Sequence, residues 1–293
     1  MAVPGSVDGI ESVANLRDAG KTVNEFLGKR LVKEGLLYRS ARPGDATPED
    51  QEKLKSTLGI RTIIDLRTKT EQLKQSQDHD AANAAPAALQ TNADAVRPLE
   101  IPGVKYRLVN LTGRGLQQHL VSKLGWLSYF RVVFYMILGW RVTAVEVVAR
   151  EVMRPRGLIG FTMDMIDYSG PEIATALRTY IEPGGVPSIV HCTQGKDRTG
   201  LIVALILLTL KVPVAAIKHD YIASEEGLAQ FANTRLKEIA RIGLTEAWGK
   251  TDPKLISALD EHLNKAHGGI DGYLDSIGFT AEERVALREL LLY

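Results

Sequence analysis

The chain has 293 residues, with 36 Lys and Arg against 35 Asp and Glu, and its formal net charge is +1. Hydrophobic residues make up 45% and charged residues 24%, which is ordinary for a soluble globular protein with a sizeable core. The scattered charge argues against a nucleic-acid partner, the first ten residues do not resemble a secretory signal, and the absence of a long apolar run argues against a transmembrane segment.

The chain begins with a pattern of short elements. Residues 13–42 indicate an entry loop and short strands. Thr47 followed by Pro48 favours a helix start, because proline suits the first helical position. This helix is predicted to run to about Leu58 and to stop at Gly59.

The next segment contains two predicted strands separated by a polar stretch. The apolar run Ile60–Leu66 is typical of a strand buried in a parallel sheet, and Val104–Leu111 alternates like another strand. Between them, Thr70–Gln77 predicts a short helix. Residues 78–98, rich in Ala, Asn, Asp and Pro, predict a mobile loop.

Residues 116–153 are dense in Leu, Val and aromatic side chains and predict a helical insertion of two helices, divided near Gly139–Trp140. One interpretation is a set of core or cap helices packed on the sheet. The alternative is a lid, a homodimer surface or a membrane-surface contact through residues 116–140. The aromatic residues of that face would be Trp126, Tyr129, Phe130, Phe134, Tyr135 and Trp140.

The last part of the chain predicts a helix over residues 171–181, a buried strand over 186–191 and then helices only. These later helices are predicted over residues 201–210, 214–224, 230–242 and 253–265, with a last one opening at Thr280. Glu283 completes a capping box with Thr280. The fold class is therefore α/β: a mostly parallel sheet flanked by helices, with a helical C-terminal half, in one domain over residues 1–293.

Cofactors are not predicted. His262 and His267 would lie near each other at a helix end, but two histidines alone make a poor metal site. Cys192 is the only cysteine, so no internal disulfide framework is possible. The lone thiol suits a reducing compartment, and we predict a cytoplasmic protein.

The segment with the most chemical content is the loop between the strand over 186–191 and the helix that follows. It reads His-Cys-Thr-Gln-Gly-Lys-Asp-Arg-Thr-Gly over residues 191–200. A cysteine six positions before an arginine, between a strand and a helix, is the phosphate-binding loop of cysteine-dependent phosphatases. Backbone N–H groups of residues 193–198 can form an anion-binding nest, helped by the positive end of the helix.

Two residues of this loop are the candidate catalytic pair. Arg198 has a planar guanidinium that can hold two phosphate oxygens at once. The positive surroundings favour the thiolate of Cys192, which can attack phosphorus in line and form a cysteinyl-phosphate that water hydrolyses.

The other loop residues have supporting roles, and two of them have two interpretations each. Thr193, Gln194 and Gly195 would line the phosphate, with Gly195 allowing close backbone approach. Thr199 is either a first-turn helix residue or a hydroxyl that bonds the cysteine sulfur. Lys196 is either a solvated rim lysine or a contact for a second phosphate or inositol ring. His191 would bond backbone around the loop.

The string His-Cys-Thr-Gln-Gly-Lys-Asp-Arg-Thr-Gly resembles the loop of an atypical tyrosine-phosphatase family. This family is known from secreted bacterial phosphatases acting on phosphotyrosine, phosphoserine/threonine and phosphoinositides. The likeness extends along the chain to Asn15–Gly20, Leu37–Ala41, Gly59–Arg67, Asp220–Ser224 and Gly269–Leu274. Two features depart from the family pattern. Gln194 stands where a small residue is usual, and the stretch of residues 69–156 is longer than in the family's minimal core.

A leaving phenolate or alkoxide needs a proton, so a carboxylic acid is expected. A Trp-Pro-Asp loop is absent, because no Trp in the sequence is followed by Pro. The resemblance offers Asp197 and Asp65 as acids. Asp197 is alternatively a helix N-cap, and Asp65 alternatively forms a structural ion pair with Arg67 that braces the loop.

We predict a phosphoric monoester hydrolase that acts on phosphotyrosine proteins. The alternatives are a phosphoinositide or inositol-phosphate phosphatase and a non-catalytic phosphate-binding scaffold. The predicted partners are a phosphorylated protein or a phosphoinositide.

Overall fold

A computed structural model describes residues 3–82 and 99–293. Within these ranges, five strands form one sheet in the order β1-β2-β5-β3-β4. The strands are Arg17–Asp18 (β1), Leu37–Ser40 (β2), Thr62–Asp65 (β3), Lys105–Leu108 (β4) and Ser188–His191 (β5). β1 is antiparallel to β2, and all other neighbours are parallel. This confirms the α/β fold with a mostly parallel sheet.

The register of the three central strands brings their carboxyl ends together. Asp65 of β3 and Ser40 of β2 both lie opposite His191 of β5. Because parallel strands end at the same edge, the segments that follow them share one crevice. The loop after β5 therefore opens where the Tyr38-Arg39-Ser40 strand and the Asp65-Leu66-Arg67 strand also end.

Helices surround this sheet. Some of them precede β5 in the sequence and the others follow it. Before β5 they are Ala19–Leu27 (α1), Pro48–Ser56 (α2), Lys69–Ala82 (α3), Arg114–Ser122 (α4), Trp126–Ile137 (α5), Arg141–Val148 (α6), Arg154–Tyr168 (α7) and Gly170–Ile181 (α8). After β5 they are Asp197–Thr209 (α9), Val214–Ile222 (α10), Ser224–Gly227 (α11), Ala232–Arg241 (α12), Leu255–His267 (α13), Ile270–Ser276 (α14) and Ala281–Leu291 (α15). The helical C-terminal half is confirmed.

Two predicted helix starts have the expected chemistry. The Thr47 side chain accepts a hydrogen bond from the Asp50 backbone N–H, and Pro48 occupies the first turn of α2. Thr280 and Glu283 form the complete capping box of α15. These ends follow from local side-chain to backbone bonds, which is why the sequence alone reveals them.

The helix that leaves the Cys192 loop is the centre of the core. Every residue of α9 from Thr199 to Thr209 is buried. A helix that is apolar on all sides is stable only with neighbours all round, and α9 packs against β2, β5, α8, α10 and α14. This packing fixes the N-terminus of α9 at the edge of the sheet.

Three predicted segments differ from the structure. Residues 13–42, predicted as an entry loop and short strands, also contain the helix α1, which Asp18 caps by accepting from the backbone N–H groups of Gly20 and Lys21.

The loop predicted over residues 78–98 begins too early, because residues 78–82 belong to α3. The helix continues because neither Gly nor Pro interrupts it and its last residues, Ala81–Ala82, are strong helix formers. Residues 83–98 lie outside the described residues. The insertion has the predicted break at Gly139–Trp140 but a further one at residues 123–125, so it contains α4, α5 and α6.

The insertion rejoins the body through a π-helical turn, Ala149–Met153, and α7. Among the described residues, no helix is both long enough and apolar enough to cross a bilayer. The single-domain organisation stays a prediction.

Candidate active site

The loop of residues 192–198 connects the end of β5 to the first turn of α9. Cys192 is buried, with 3% of its surface exposed, and Arg198 lies in the first turn of α9. Gly195 has φ +64°, and a Cβ there would lie 2.0 Å from the Ser40 carbonyl oxygen. The loop can therefore pass this close to β2 only with glycine at that position.

The loop carbonyls are held from behind by two buried side chains. Asn15 Nδ2 donates to the carbonyl oxygens of Gln194 (3.1 Å) and Gly195 (2.9 Å). Arg39 Nη2 donates to the carbonyl oxygens of Gly195 (2.9 Å) and Lys196 (3.2 Å). Because these carbonyls are engaged on the outer side, the loop's N–H groups are left to the inner side, as an anion-binding nest requires.

The support behind the loop is a buried ionic network centred on Asp220. Arg17 Nε lies 2.9 Å from Asp220 Oδ1, and Arg39 Nη1 donates to Oδ2. Burial acts to raise the pKa of Asp220, but the two guanidinium groups outweigh it and hold that pKa below its ordinary value. Two cations against one anion leave an excess positive charge directly behind the loop.

Arg198 is fixed by a carboxylate that the sequence analysis missed. Glu71 accepts from Arg198 Nη1 at 2.8 Å and from Nη2 at 2.5 Å, and it also accepts from Thr193 Oγ1 at 2.6 Å. Burial opposes the charge on Glu71, but Arg198 outweighs burial and lowers the pKa of Glu71; the same pair raises the pKa of Arg198. Both groups are therefore fully charged near neutral pH.

The contact with Glu71 uses the terminal edge of the guanidinium. Within the described residues, the hydrogen bonds of Arg198 use Nη1 and Nη2, and Nη2 also reaches Thr193 Oγ1 at 3.5 Å. The Nε–H lies on the adjacent edge of the same fork, beside Nη2, and an edge of this shape matches two phosphate oxygens.

Glu71 is held by the start of its own helix. Thr68 N donates to Glu71 Oε2 at 3.0 Å, and Glu71 N donates to Thr68 Oγ1 at 3.2 Å. This reciprocal pattern is a capping box, and the spacing Thr-x-x-Glu is its sequence signal. That signal predicts a helix start at α3, but only the tertiary structure shows that the glutamate reaches Arg198.

The family profile described as "Tyrosine phosphatase family" matches residues 9–293 of the chain. The chain belongs to the tyrosine phosphatase family. It is therefore an enzyme, a phosphoric monoester hydrolase of the cysteine-dependent class, and the non-catalytic scaffold is set aside.

Three curated relatives agree with this membership. A Cupriavidus necator protein, named as a candidate tyrosine-protein phosphatase, is 26% identical over 270 residues, covering 90% of this chain and 81% of the relative. A tyrosine-protein phosphatase of Nostoc commune is 35% identical over 106 residues, 32% of this chain and 35% of the relative. The triple specificity protein phosphatase PtpB of Mycobacterium tuberculosis is 25% identical over 124 residues, 37% and 45% of the two chains.

In this tyrosine phosphatase, Asp65 makes a fully buried ion pair. Arg67 Nε donates to Asp65 Oδ1 at 2.9 Å and Arg67 Nη2 to Oδ2 at 2.8 Å, while Gln72 Nε2 adds a third side-chain bond at 3.1 Å. Burial acts to raise the pKa of Asp65, but His191 and Arg67 outweigh it, and the pKa lies below its ordinary value. These contacts match the alternative in which Asp65 and Arg67 form a structural ion pair that braces the loop.

His191 lies between the ion pair and the loop. Its Nδ1 is 3.1 Å from the Cys192 carbonyl oxygen, as expected of a residue that bonds the loop backbone. Burial lowers the pKa of His191 to about 4, although Asp65 acts in the opposite direction. The imidazole is therefore neutral near pH 7, and Arg67 is the charged partner of Asp65 there.

Lys196 does not lie at a solvated rim. Its side chain is fully buried, and Nζ donates to Asp197 Oδ1 (2.8 Å) and to the carbonyl oxygens of Trp248 (3.3 Å) and Lys250 (2.8 Å). The ammonium thereby ties the loop to the turn at residues 246–249. Carbonyl acceptors in a buried position outcompete solvent for a flexible ammonium, which a sequence pattern does not reveal.

Asp197, Thr199 and Gln194 are the remaining polar residues of the loop, and Asp197 Oδ1 already accepts from Lys196 Nζ at 2.8 Å. Asp197 is partly exposed, with a quarter (26%) of its side chain accessible. Thr199 Oγ1 and Gln194 Oε1 are buried and make no hydrogen bond with the described part of the chain. Buried polar atoms without partners are costly, so a ligand or a reacting group is the expected partner at both positions.

Proposed function

We propose that Cys192 attacks phosphotyrosine in protein substrates and forms a cysteinyl-phosphate, which water then hydrolyses. The observation that carries this proposal is the outward restraint of the loop carbonyls by Asn15 and Arg39, which leaves the inner N–H groups for three phosphate oxygens. The Nε–H edge of Arg198 adds a two-pronged clamp for the charge that develops on phosphorus.

We assign the acid role to Asp197. Both carboxylates are ion-paired, but Asp65 is buried and bonded through both oxygens to Arg67 and Gln72, whereas Lys196 holds Asp197 through Oδ1 and a quarter of the Asp197 side chain is exposed. Thr199 Oγ1, buried and without a hydrogen-bond partner among the described residues, is suited to bond the cysteine sulfur as it leaves phosphorus. A thiol nucleophile with no second cysteine needs a reducing compartment, which supports a cytoplasmic location.

The acid assignment is tested by leaving groups of different basicity. Removal of a general acid slows the release of a poor leaving group more than that of a good one. Asp197→Asn should therefore slow hydrolysis of phenyl phosphate far more than that of an activated aryl phosphate, whereas Asp65→Asn should slow both equally. The reverse pattern would transfer the role to Asp65.

The nucleophile is tested by trapping. Cys192→Ser should abolish turnover and retain the fold, because the two side chains are nearly isosteric. Single-turnover experiments with a phosphotyrosine peptide, quenched in acid, should capture phosphate on Cys192 of the wild type. Turnover by Cys192→Ser close to that of the wild type would refute the mechanism.

A second candidate function, hydrolysis of phosphoinositides, is favoured by one observation. The hairpin formed by α5 and α6, residues 126–148, has its own small cluster of Val132, Ala144 and Val147, which borders the main core at Leu124 and Val148. Its outer side exposes large apolar side chains, with 72% of Trp126, 62% of Phe130 and 78% of Ile137 accessible. So large an apolar surface on a domain marks an interaction site.

The charge around the hairpin fits an anionic membrane better than a second copy of the chain. Residues 114–156 include seven Arg or Lys and two Glu, although the whole chain has a net charge of only +1. Aromatic side chains beside an excess of cations suit the interface of an anionic bilayer, whereas a self-complementary dimer would bring like charges together.

Vesicle sedimentation and activity together separate the two substrates. The triple change Trp126→Ala, Phe130→Ala and Trp140→Ala should release the enzyme from phosphatidylserine vesicles and lower hydrolysis of vesicle phosphoinositide, with phosphotyrosine-peptide hydrolysis unchanged. Phe26→Ala, an exposed aromatic of α1, is the matched control. A dimer in solution that the triple change dissociates would assign the hairpin to a second copy and overturn the membrane proposal.

A further inference from the structure

Three metal-ligating side chains converge at a point that involves none of the loop residues. Asp167 lies near the end of α7, and His262 and His267 lie in the last turns of α13. Asp167 Oδ1 is 2.8 Å from His262 Nε2 and 3.2 Å from His267 Nε2. The three ligand atoms all lie within 4.8 Å of one another. The two histidines predicted to be neighbours thus have a third partner about a hundred residues earlier in the chain.

We propose that Asp167, His262 and His267 bind a divalent transition-metal ion of the Zn²⁺ class. This site goes beyond the phosphatase activity and does not depend on it. Imidazole and carboxylate ligands suit such ions, and two histidines with one carboxylate leave a further position for water.

Two of the three ligand separations lie near the value for this ion, and the third is at most 4.8 Å. Ligands at about 2.0–2.1 Å from a tetrahedral zinc are roughly 3.3 Å from one another. The two separations from Asp167 Oδ1 are already close to that value, so small side-chain rotations would complete the geometry.

Two arrangements of protons are compatible with these contacts. As Nε2–H tautomers, the two neutral imidazoles both donate to Asp167 Oδ1. A metal ion accepts both Nε2 lone pairs and the carboxylate charge at the same point. The side chains are between one fifth and one third exposed, at 25%, 20% and 34% for His262, His267 and Asp167, so an ion can enter from solvent.

The surroundings hold two of the three ligands in place. The His267 ring packs edge-on against Tyr273, with centroids 5.0 Å apart, and Tyr273 Oη donates to the carbonyl oxygen of Ile166 at 3.1 Å. One buried tyrosine therefore positions both a histidine ring and the backbone next to Asp167. Gly268, in the left-handed conformation at φ +73°, ends α13 directly after His267. These contacts restrict the motion of the His267 ring and of the backbone beside Asp167.

A bound ion would join the end of α7 to the end of α13. α7 leads from the insertion to α8, and α13 belongs to the C-terminal helices. A ligand that binds only the folded protein stabilises it, so zinc at about a hundredfold excess over Kd should raise Tm by about 5 °C.

The experiment uses the full chain with the Cys192→Ser substitution and without a histidine tag, so that neither the thiol nor a tag binds metal. After dialysis against Zn²⁺ and then metal-free buffer, elemental analysis should find one ion per chain. Co²⁺ should produce visible ligand-field bands and be displaced by Zn²⁺. Because this background has no nucleophile, failure of the metal site and failure of the phosphatase mechanism remain distinguishable.

The variants identify the ligands. His262→Ala and His267→Ala should each abolish retention, and Asp167→Asn, which keeps an acceptor oxygen, should weaken binding about tenfold or more. His119→Ala is the matched control: His119 Nε2 lies 3.2 Å from Asp164 of the same helix α7, but as a single histidine. Circular dichroism of each metal-free variant checks the fold. No retained ion in the parent, or retention by His262→Ala and His267→Ala equal to that of the parent, would overturn the proposal.

Discussion

The two carboxylate oxygens of Glu71 meet the two terminal nitrogens of Arg198, at 2.8 and 2.5 Å. Glu71 itself is fixed by the capping box at the start of α3, so the guanidinium takes its orientation from the start of a different helix. Since Thr193 Oγ1 bonds the same carboxylate, one side chain restrains both ends of the phosphate loop.

Glu71→Gln should therefore lower kcat more than it raises KM. The amide is isosteric but has one acceptor oxygen and no charge, so it cannot hold both terminal nitrogens of Arg198. Loss of one preorganised donor costs about a hundredfold in rate, and we expect a kcat loss of about that size, similar to that of Arg198→Lys. Steady-state kinetics on a phosphotyrosine peptide provides the measurement.

Glu52→Gln on α2 is the control, because Glu52 is exposed and pairs only with Lys55 among the described residues. It should leave both kinetic constants unchanged. If Glu71→Gln kept the wild-type kcat, the orientation of Arg198 would not depend on this carboxylate.

Acid should destabilise the enzyme through His191. Its folded pKa is about 4, below the ordinary value of 6.5, so the unfolded chain binds the proton first as pH falls. The contribution of His191 to the free energy of unfolding is fully present above about pH 6.5. It declines by about 3 kcal/mol as pH falls towards 4. His191→Asn should remove this slope from urea unfolding measured between about pH 7 and pH 5.

His219→Asn, at a partly buried position on α10, is the control and should keep the slope. An unchanged pH dependence in His191→Asn would mean that the imidazole is not held neutral by burial.

Asp220→Asn should be among the most destabilising single changes in the chain. It leaves Arg17 and Arg39 buried with no carboxylate between them, and loss of one partner from a buried ion pair costs about 3–5 kcal/mol. Asp271→Asn removes a carboxylate that is half exposed and should cost about 1 kcal/mol or less. Urea denaturation of both variants tests this, and equal losses would contradict it.

The sequence predicts those parts of the site that are local in the chain. The Cys192 loop, its strand and its helix lie within about twenty residues, and capping boxes and apolar runs act over a few residues. Glu71, Asp220 and Asp167 act through partners more than 90 residues away, and their approach depends on strand register and helix packing. The burial of Lys196 is missed by the sequence analysis for the same reason, because the carbonyl oxygens that accept from its ammonium lie some fifty residues later in the chain.

Peroxide should inactivate the enzyme through Cys192. A thiolate is oxidised to a sulfenate, and a chain with one cysteine has no second thiol to form an internal disulfide. Inorganic phosphate occupies the same loop as the substrate and should slow inactivation, while dithiothreitol should restore activity if it is added early. Mass spectrometry should find the added oxygen on the peptide with residue 192, and Cys192→Ser should lack it. Inactivation that leaves this peptide unmodified, or that phosphate does not slow, would contradict a reactive thiolate inside the loop.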